Sequence, residues 1–253
     1  MKSDVLITGV KGFIGHHLYQ YLTSKGYDVQ GIDNCTGLAC DERDVPFKHC
    51  DITKDPLPFI NSKFVIHLAA RAGVRNSWKE KYLKDYSDTN IKGTSRIFKT
   101  YRNSKILYAS SSSIYDVRSP YAMSKVACEE MAPSNAVGMR FFTVYGERSR
   151  PDMFYRQLKE NKINYLTTHT RDWSHVDVVC SAIEFMLNNF DKLRGIDSVY
   201  DIGHGNPISV YDFAKQHAPK NIDINEIPFK NVVGESEDTC ADSSKLIELG
   251  WKI

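Results

Sequence analysis

The sequence predicts an α/β protein built on a doubly wound parallel sheet with a small C-terminal lobe, and three observations lead there. Apolar runs of strand length alternate with helix-length amphipathic stretches, glycines recur at a strand-to-helix junction, and 253 residues with 42% hydrophobic and 25% charged side chains suit one α/β domain with a modest appendage. In order, the strand-like runs are DVLITG, YDVQGID, KFVIHLAA, KILYAS and VGMRFF, each separated from the next by a helical stretch, which is the pattern of βαβ units. From about residue 147 the pieces become shorter and more polar, and only RDWSHVDVV and SVYDIG return to strand or core. The expected division is therefore a Rossmann domain over 1–146 with a sheet return near 172–202, the rest of 147–253 forming mainly a substrate-binding lobe.

Composition removes several classes of function. A formal charge of +2 without a dense basic run gives no field for nucleic acid or an anionic membrane, and no stretch approaches the roughly 20 apolar residues of a bilayer span. The start MKSDVLITG runs straight into a strand with no signal-peptide pattern, so the expected compartment is the cytoplasm. Cysteines 35, 40, 50, 128, 180 and 240 are scattered, with no C-x-x-C pair and no cysteine-histidine cluster at zinc spacing. Free thiols and no metal are expected, and His16-His17 reads as a surface or packing doublet because helix neighbours point apart.

In TGVKGFIGHHL, Gly9, Gly12 and Gly15 keep the spacing G-x-x-G-x-x-G. Glycines there let the backbone turn tightly and approach a pyrophosphate at a helix N-terminus, although a plain tight β-α connection would look similar. The second strand ends in Asp33, eighteen residues beyond Gly15, where a carboxylate would accept from an adenosine ribose and repel a 2′-phosphate. NAD is thus the expected cofactor rather than NADP. Asp51 in HCDIT is placed either to receive the adenine amino group or to serve as a turn or cap aspartate.

The stretch SSSSIYDVRSPYAMSK sets Tyr121 four residues ahead of Lys125, on one face if the segment is helical. Such a pair alone often marks a solvated face, but this one follows the strand ILYASSS, whose carboxyl end opens onto the crevice of a doubly wound sheet. A free phenol titrates near pH 10, so proton transfer at neutral pH needs nearby positive charge to stabilise the phenolate. Lys125 and a bound nicotinamide ring would supply it, and Tyr121 would serve in oxidising an alcohol beside a serine hydroxyl.

TGVKGFIGHHL, HLAARAGVRNS, YASSSSIY, YAMSK, RFFTVYGERSRPDM, RDWSHVD and ADSSKLIELGW together resemble, in this order, the extended short-chain dehydrogenase/reductases of the NAD-dependent epimerase/dehydratase family. The resemblance spans nearly the whole chain and is greatest to nucleotide-sugar 4-epimerases, those acting on UDP-glucuronate above all. It implies Tyr121 as general base and acid, Lys125 beside it on the nicotinamide ribose, and Ser111, counted back from Tyr115, as the catalytic serine. It further implies Phe13 and Ile14 at the pyrophosphate turn, Asp33 and Asn34 at the ribose, and Asp51 and Ile52 at the adenine. Leu68, Ala69, Ala70 and Ala72 would line the cofactor, Asn90 support it and Phe142 lie beside the nicotinamide. Thr143 and Arg150 match substrate positions, and Arg171 matches the arginine that holds the nucleotide diphosphate.

Dehydratases of the family carry an Asp-Glu pair directly after the catalytic Thr or Ser; here Ser112 and Ser113 stand there, and neither is a strong acid. The implied reaction is reversible oxidation at C4 through a 4-keto sugar, with Ser112, Ser113, Thr143 and Arg150 placed to receive a C6 carboxylate. A UDP-glucose 4-epimerase, a 4-keto-sugar reductase and a non-catalytic dinucleotide-binding regulator are the alternatives. Three departures from the family pattern stand out. Only five residues separate Tyr115 from Tyr121; the helix from Tyr121 is cut by Pro133, which implies a monomer or weak homodimer; and Lys230 rather than an arginine precedes Gly234.

Overall fold

In a computed structural model of the chain, the residues described are 2–40, 45–195, 198–232 and 236–253. Strand β1 (Lys2–Thr8) leads through the glycine turn into α1 (Phe13–Ser24), then β2 (Val29–Asp33), the two-residue β3 (Lys48–His49) and β4 (Asn61–His67). Short helices α2 (Val74–Ser77) and α3 (Glu80–Tyr86) follow, and α3 runs through a π-helical turn, Ser87–Gly93, into α4 (Thr94–Thr100). Then come β5 (Lys105–Ser111), a 3₁₀ turn at Ser112–Tyr115, α5 (Pro120–Glu130) and β6 (Ala136–Phe141). The remainder holds β7 (Thr143–Tyr145), α6 (Phe154–Lys159), β8 (Thr170–Arg171), β9 (Trp173–His175), α7 (Val176–Asn188), α8 (Phe190–Leu193), β10 (Val199–Ile202), β11 (Ile208–Ser209), α9 (Val210–His217) and α10 (Ser244–Glu248).

The expected doubly wound sheet is present, with seven parallel strands in the order β10-β6-β5-β4-β1-β2-β3. The chain starts at β1, winds out to β3 and crosses back to β4, so β1 and β4 flank the point where the winding reverses and a ligand crevice opens at their carboxyl ends. Helices cover both faces, which is why the strands read as continuous apolar runs. Val5, Ile7, Ile66 and Leu107 pack on one side with α1 and α7; Leu6, Val65, Ile106 and Tyr108 pack on the other with Ile97, Phe98 and Cys128 of α4 and α5. A third cluster, around Leu158, Trp173, Val210 and Phe213, lies in the later part of the chain.

SVYDIG supplies β10, the edge strand beside β6, whereas RDWSHVD forms β8 and β9, which pair outside the main sheet. All six cysteines are free thiols; Cys50, Cys128 and Cys180 are buried. His16 is buried edge-on to His17, whose Nε2–H donates to the Glu147 carbonyl. Gly234 lies outside the described residues, and Lys230 places its ammonium 5.2 Å from the Tyr165 ring centroid.

Candidate active site

The glycine turn is fixed by contacts no larger residue would tolerate. Gly9 has φ +75°, and a Cβ there would come within 2.7 Å of the Ala69 backbone nitrogen; one on Gly15 would come within 2.2 Å of the Gly9 carbonyl. Gly12 caps α1 without a side-chain hydrogen bond, so the helix opens with amides that have no intrahelical acceptor. They border a cleft of about 280 Å³ that Gly9, Gly12, Phe13, Ile14 and Gly15 line on one side and Leu68, Ala70 and Ala72 on the other.

Asp33 closes β2, its carboxylate accepting from the Lys11 amide (2.9 Å) and the Cys35 amide (2.8 Å). Asn34 Oδ1 accepts from the amide and hydroxyl of Thr36. Asp51 forms the same kind of turn with Thr53; burial pushes its carboxyl up, but hydrogen bonds from Thr53 and Asn34 and the charge of Lys54 leave it below the usual range. Ile52 is buried in the core, where a Cβ on Gly93 would meet it, and Ala69 donates its amide to Thr8 Oγ1. Asn90, fully buried in the π-helical turn, accepts from the Arg71 amide and donates to the Arg71 carbonyl and Ser124 Oγ, so it shapes the wall of the cleft through residue 71.

Helix α5 begins with Ser119 as cap, its hydroxyl accepting from the Ala122 amide, and Pro120 in the first turn. One turn apart, Tyr121 and Lys125 point to the carboxyl end of β5: Lys125 is 4% exposed, donates to the Ala109 carbonyl (2.8 Å) and lies 6.0 Å from the Tyr121 ring centroid. Ser111 ends β5 and caps the 3₁₀ turn by accepting from the Ser113 amide at 3.2 Å. Ser111, Tyr121, Phe142 and Arg150 line both the narrow cleft and a second one of about 550 Å³, which also takes in Ser112, Ser113, Thr143, Arg171 and Trp173. The two clefts therefore meet at the serine-tyrosine pair. Arg150 Nε donates to Asp152 (2.9 Å), and Arg171 is tied to the Thr170 and Glu237 carbonyls and to His169. Across the wider cleft, Ser236 Oγ donates to Asp116 in the short connection ahead of α5.

Several buried or half-buried polar residues outside the two clefts have no role assigned from the sequence, although His67 and Asp172 fall within its motifs. His67 at the end of β4 is buried between Thr8 Oγ1 (2.7 Å) and Thr94 Oγ1 (2.9 Å). Burial first, then the charge of Lys125, pushes its imidazole down to about 3. Asp172, with no exposed surface, gathers the amides of His204, Gly205 and Ala241 beside Arg171. Glu129 and Arg140 form a forked ion pair behind β5. The one available signal was a charge inside an apolar run, Arg140 in VGMRFF and Asp201 in VYDIG.

Residues 5–203 match the profile of the NAD dependent epimerase/dehydratase family. The UDP-glucuronate 4-epimerase of Thermodesulfobacterium geofontis is 31% identical over 257 aligned residues, covering 81% of this chain and 76% of that protein. Among solved structures, UDP-glucuronic acid 4-epimerase from Bacillus cereus in complex with UDP-glucuronic acid and NAD is 29% identical with a TM-score of 0.75, over 98% of this chain and 92% of that one. MoeE5 in complex with UDP-glucuronic acid and NAD is 27% identical with a TM-score of 0.79, over 97% and 91% of the two chains.

Proposed function

Because this chain belongs to the NAD-dependent epimerase/dehydratase family, we propose that it is a nucleotide-sugar 4-epimerase that interconverts UDP-glucuronate and UDP-galacturonate with bound NAD. The observation that carries the reading is the meeting of the two clefts at Ser111 and Tyr121, with Lys125 buried one turn along.

The residues present fit the cofactor. A turn in which Gly9 and Gly15 leave no room for a Cβ, uncapped α1 amides and an oriented Asp33 carboxylate suit a pyrophosphate and a ribose without 2′-phosphate. Phe13 and Ile14 would border the pyrophosphate, Asp33 and Asn34 the ribose, Asp51 the adenine, and Lys125 and Phe142 the nicotinamide end. Ile52, Ala69 and Asn90 would act from behind the cleft wall. NAD, when bound, supplies reversible two-electron oxidation at the sugar's C4. Tyr121 takes the proton from the C4 hydroxyl and later returns it, Lys125 stabilises the phenolate charge, and the Ser111 hydroxyl, which donates to Ser113 Oγ in this structure, would turn to donate to the same oxygen while the Ser113 amide holds its lone pair.

In the wider cleft, Arg171 would face the diphosphate, and Ser112, Ser113 and Thr143 would surround the sugar's C6 carboxylate, with Arg150 sharing its charge between that group and Asp152. In this reading residues 1–146, with the return near 172–202, carry the cofactor, and most of 147–253 carries the substrate. The proposed setting is the cytoplasm.

Incubation with UDP-glucuronate, UDP-glucose and UDP-N-acetylglucosamine, followed by NMR of the C4 protons, tests the assignment. The C4 epimer of UDP-glucuronate should form with no net conversion of NAD to NADH; stoichiometric NADH formation with a 4-keto product would make the protein a 4-keto-sugar reductase running in reverse. Thr143→Val should impair turnover of the uronate far more than of UDP-glucose, and equal losses would end the uronate assignment.

A further inference from the structure

The 3₁₀ turn that presents Ser112 and Ser113 has no buried residue of its own and spans only Ser112–Tyr115. Short 3₁₀ segments are weakly held by their own hydrogen bonds. What holds this one is a chain of polar contacts gripping it from both ends. Ahead of it, Ser110 Oγ donates to Glu129 on α5, and Glu129 takes Nε (3.0 Å) and Nη2 (2.8 Å) of Arg140 on β6. The remaining arm, Arg140 Nη1, donates to the Tyr115 hydroxyl at 2.8 Å, and that hydroxyl donates to Asp201 Oδ1 on β10 at 2.7 Å. Asp201 Oδ2 accepts from the Asp242 amide at 3.0 Å.

A phenol that accepts from a guanidinium and donates to a carboxylate has its orientation fixed by two charge-assisted bonds. Tyr115 is 59% exposed, and the Arg140 guanidinium lies 5.1 Å over its ring, so polar contacts rather than apolar packing anchor it. Tyr115 lines neither cleft, but its ring lies 6.4 Å from that of Phe142, which lines both. Within the turn, Ser113 donates its amide to Ser111 Oγ and accepts from that hydroxyl on its own Oγ, so a shift of the turn moves the hydroxyl that lines both clefts together with Tyr121.

We propose that Tyr115 is a positioning residue for the reaction, its hydroxyl clamped between Arg140 and Asp201 so that the serine turn keeps Ser111 aligned with Tyr121. The proposal rests on the assignment of chemistry to Ser111 and Tyr121. A displacement of about 1 Å in such a constellation costs up to roughly 100-fold in rate.

Tyr115→Phe keeps the ring and removes only the hydroxyl. It should lower kcat at least about tenfold, with KM for UDP-glucuronate and the Kd for NAD close to wild type. Asp201→Asn keeps one acceptor oxygen for both the Tyr115 hydroxyl and the Asp242 amide and should lose part of the activity, whereas Asp201→Ala keeps none and should lose at least as much as Tyr115→Phe. Wild-type kcat in Tyr115→Phe, or a loss of NAD affinity in step with kcat, overturns the clamp. Tyr121→Phe run in parallel separates the two readings: if it stays active, the reaction assignment fails rather than the clamp. Hydrogen exchange of the amides at 112–115 reads the clamp without turnover, and exchange about tenfold faster in Tyr115→Phe is expected. Unchanged exchange there overturns the proposal whatever the activity.

Discussion

Asp33 holds a turn of the fold and, in the proposed function, would hold the cofactor with the same side chain. Its two oxygens already accept from the Lys11 and Cys35 amides, which leaves each oxygen a further lone pair for a ribose hydroxyl. Hydrogen bonds to an ionised acceptor are worth roughly 1.5–3 kcal/mol, so Asp33→Ala should weaken NAD binding by about tenfold to a hundredfold in calorimetric titration. Affinity equal to wild type would remove Asp33 from the site. For Tyr121→Phe, loss of general acid-base catalysis should lower turnover by roughly 10² to 10⁴ while both ligands still bind; full activity would refute the mechanism. The crowded turn at Gly9 and Gly15 was legible because its spacing is a demand of local backbone geometry, and the placement of Tyr121 and Lys125 one turn apart at a cleft was legible because both sit on one helix. The Tyr115–Asp201 contact was not, since 86 residues separate the partners and nothing local marks either as half of a pair.

At the level of elements, β4 is pinned to β1 and to α4 by one imidazole, His67 between Thr8 and Thr94. An unfolded histidine titrates near 6.5, whereas burial and Lys125 hold the folded one down at about 3. Between those values the unfolded chain binds a proton that the native chain refuses, so this stabilisation is present above about pH 6.5 and is lost as pH falls toward 3. The slope is at most about 1.4 kcal/mol per pH unit. His217 on α9, lowered by burial and then by Lys159 and His175, works in the same direction. Urea unfolding between pH 7.5 and pH 5 should therefore show falling stability, and His67→Asn should flatten part of that slope. A flat profile in the wild-type protein would show that His67 is protonated without cost. The run KFVIHLAA announced β4 as a strand, but the buried state of its histidine depended on two threonines from other elements. The π-helical turn at Ser87–Gly93 was likewise silent in the sequence, because nothing in SDTNIKG distinguishes it from an ordinary helical turn.

For the molecule as a whole, the open question with a structural answer is self-association, and it turns on α5. That helix has eleven residues, Pro120–Glu130, and Met131 caps it two positions before Pro133. Met123 and Glu130 are exposed and Val126 and Ala127 half-buried, spaced i, i+3, i+4, i+7 on one face, with Met123 63% exposed. A helix of this length is about 16 Å long and 10 Å wide, so one face offers on the order of 200 Å². A stable interface needs about 800 Å² from each partner. The exposed Trp78, just ahead of α3, and Leu83, on α3, add apolar surface without closing that gap. We therefore expect light scattering to give the monomer mass of 28.8 kDa at micromolar concentration, drifting upward only as the protein approaches millimolar. A dimer already complete at micromolar concentration, and broken by Met123→Glu, would mean that this face recruits neighbouring surface and that the eleven-residue helix is long enough.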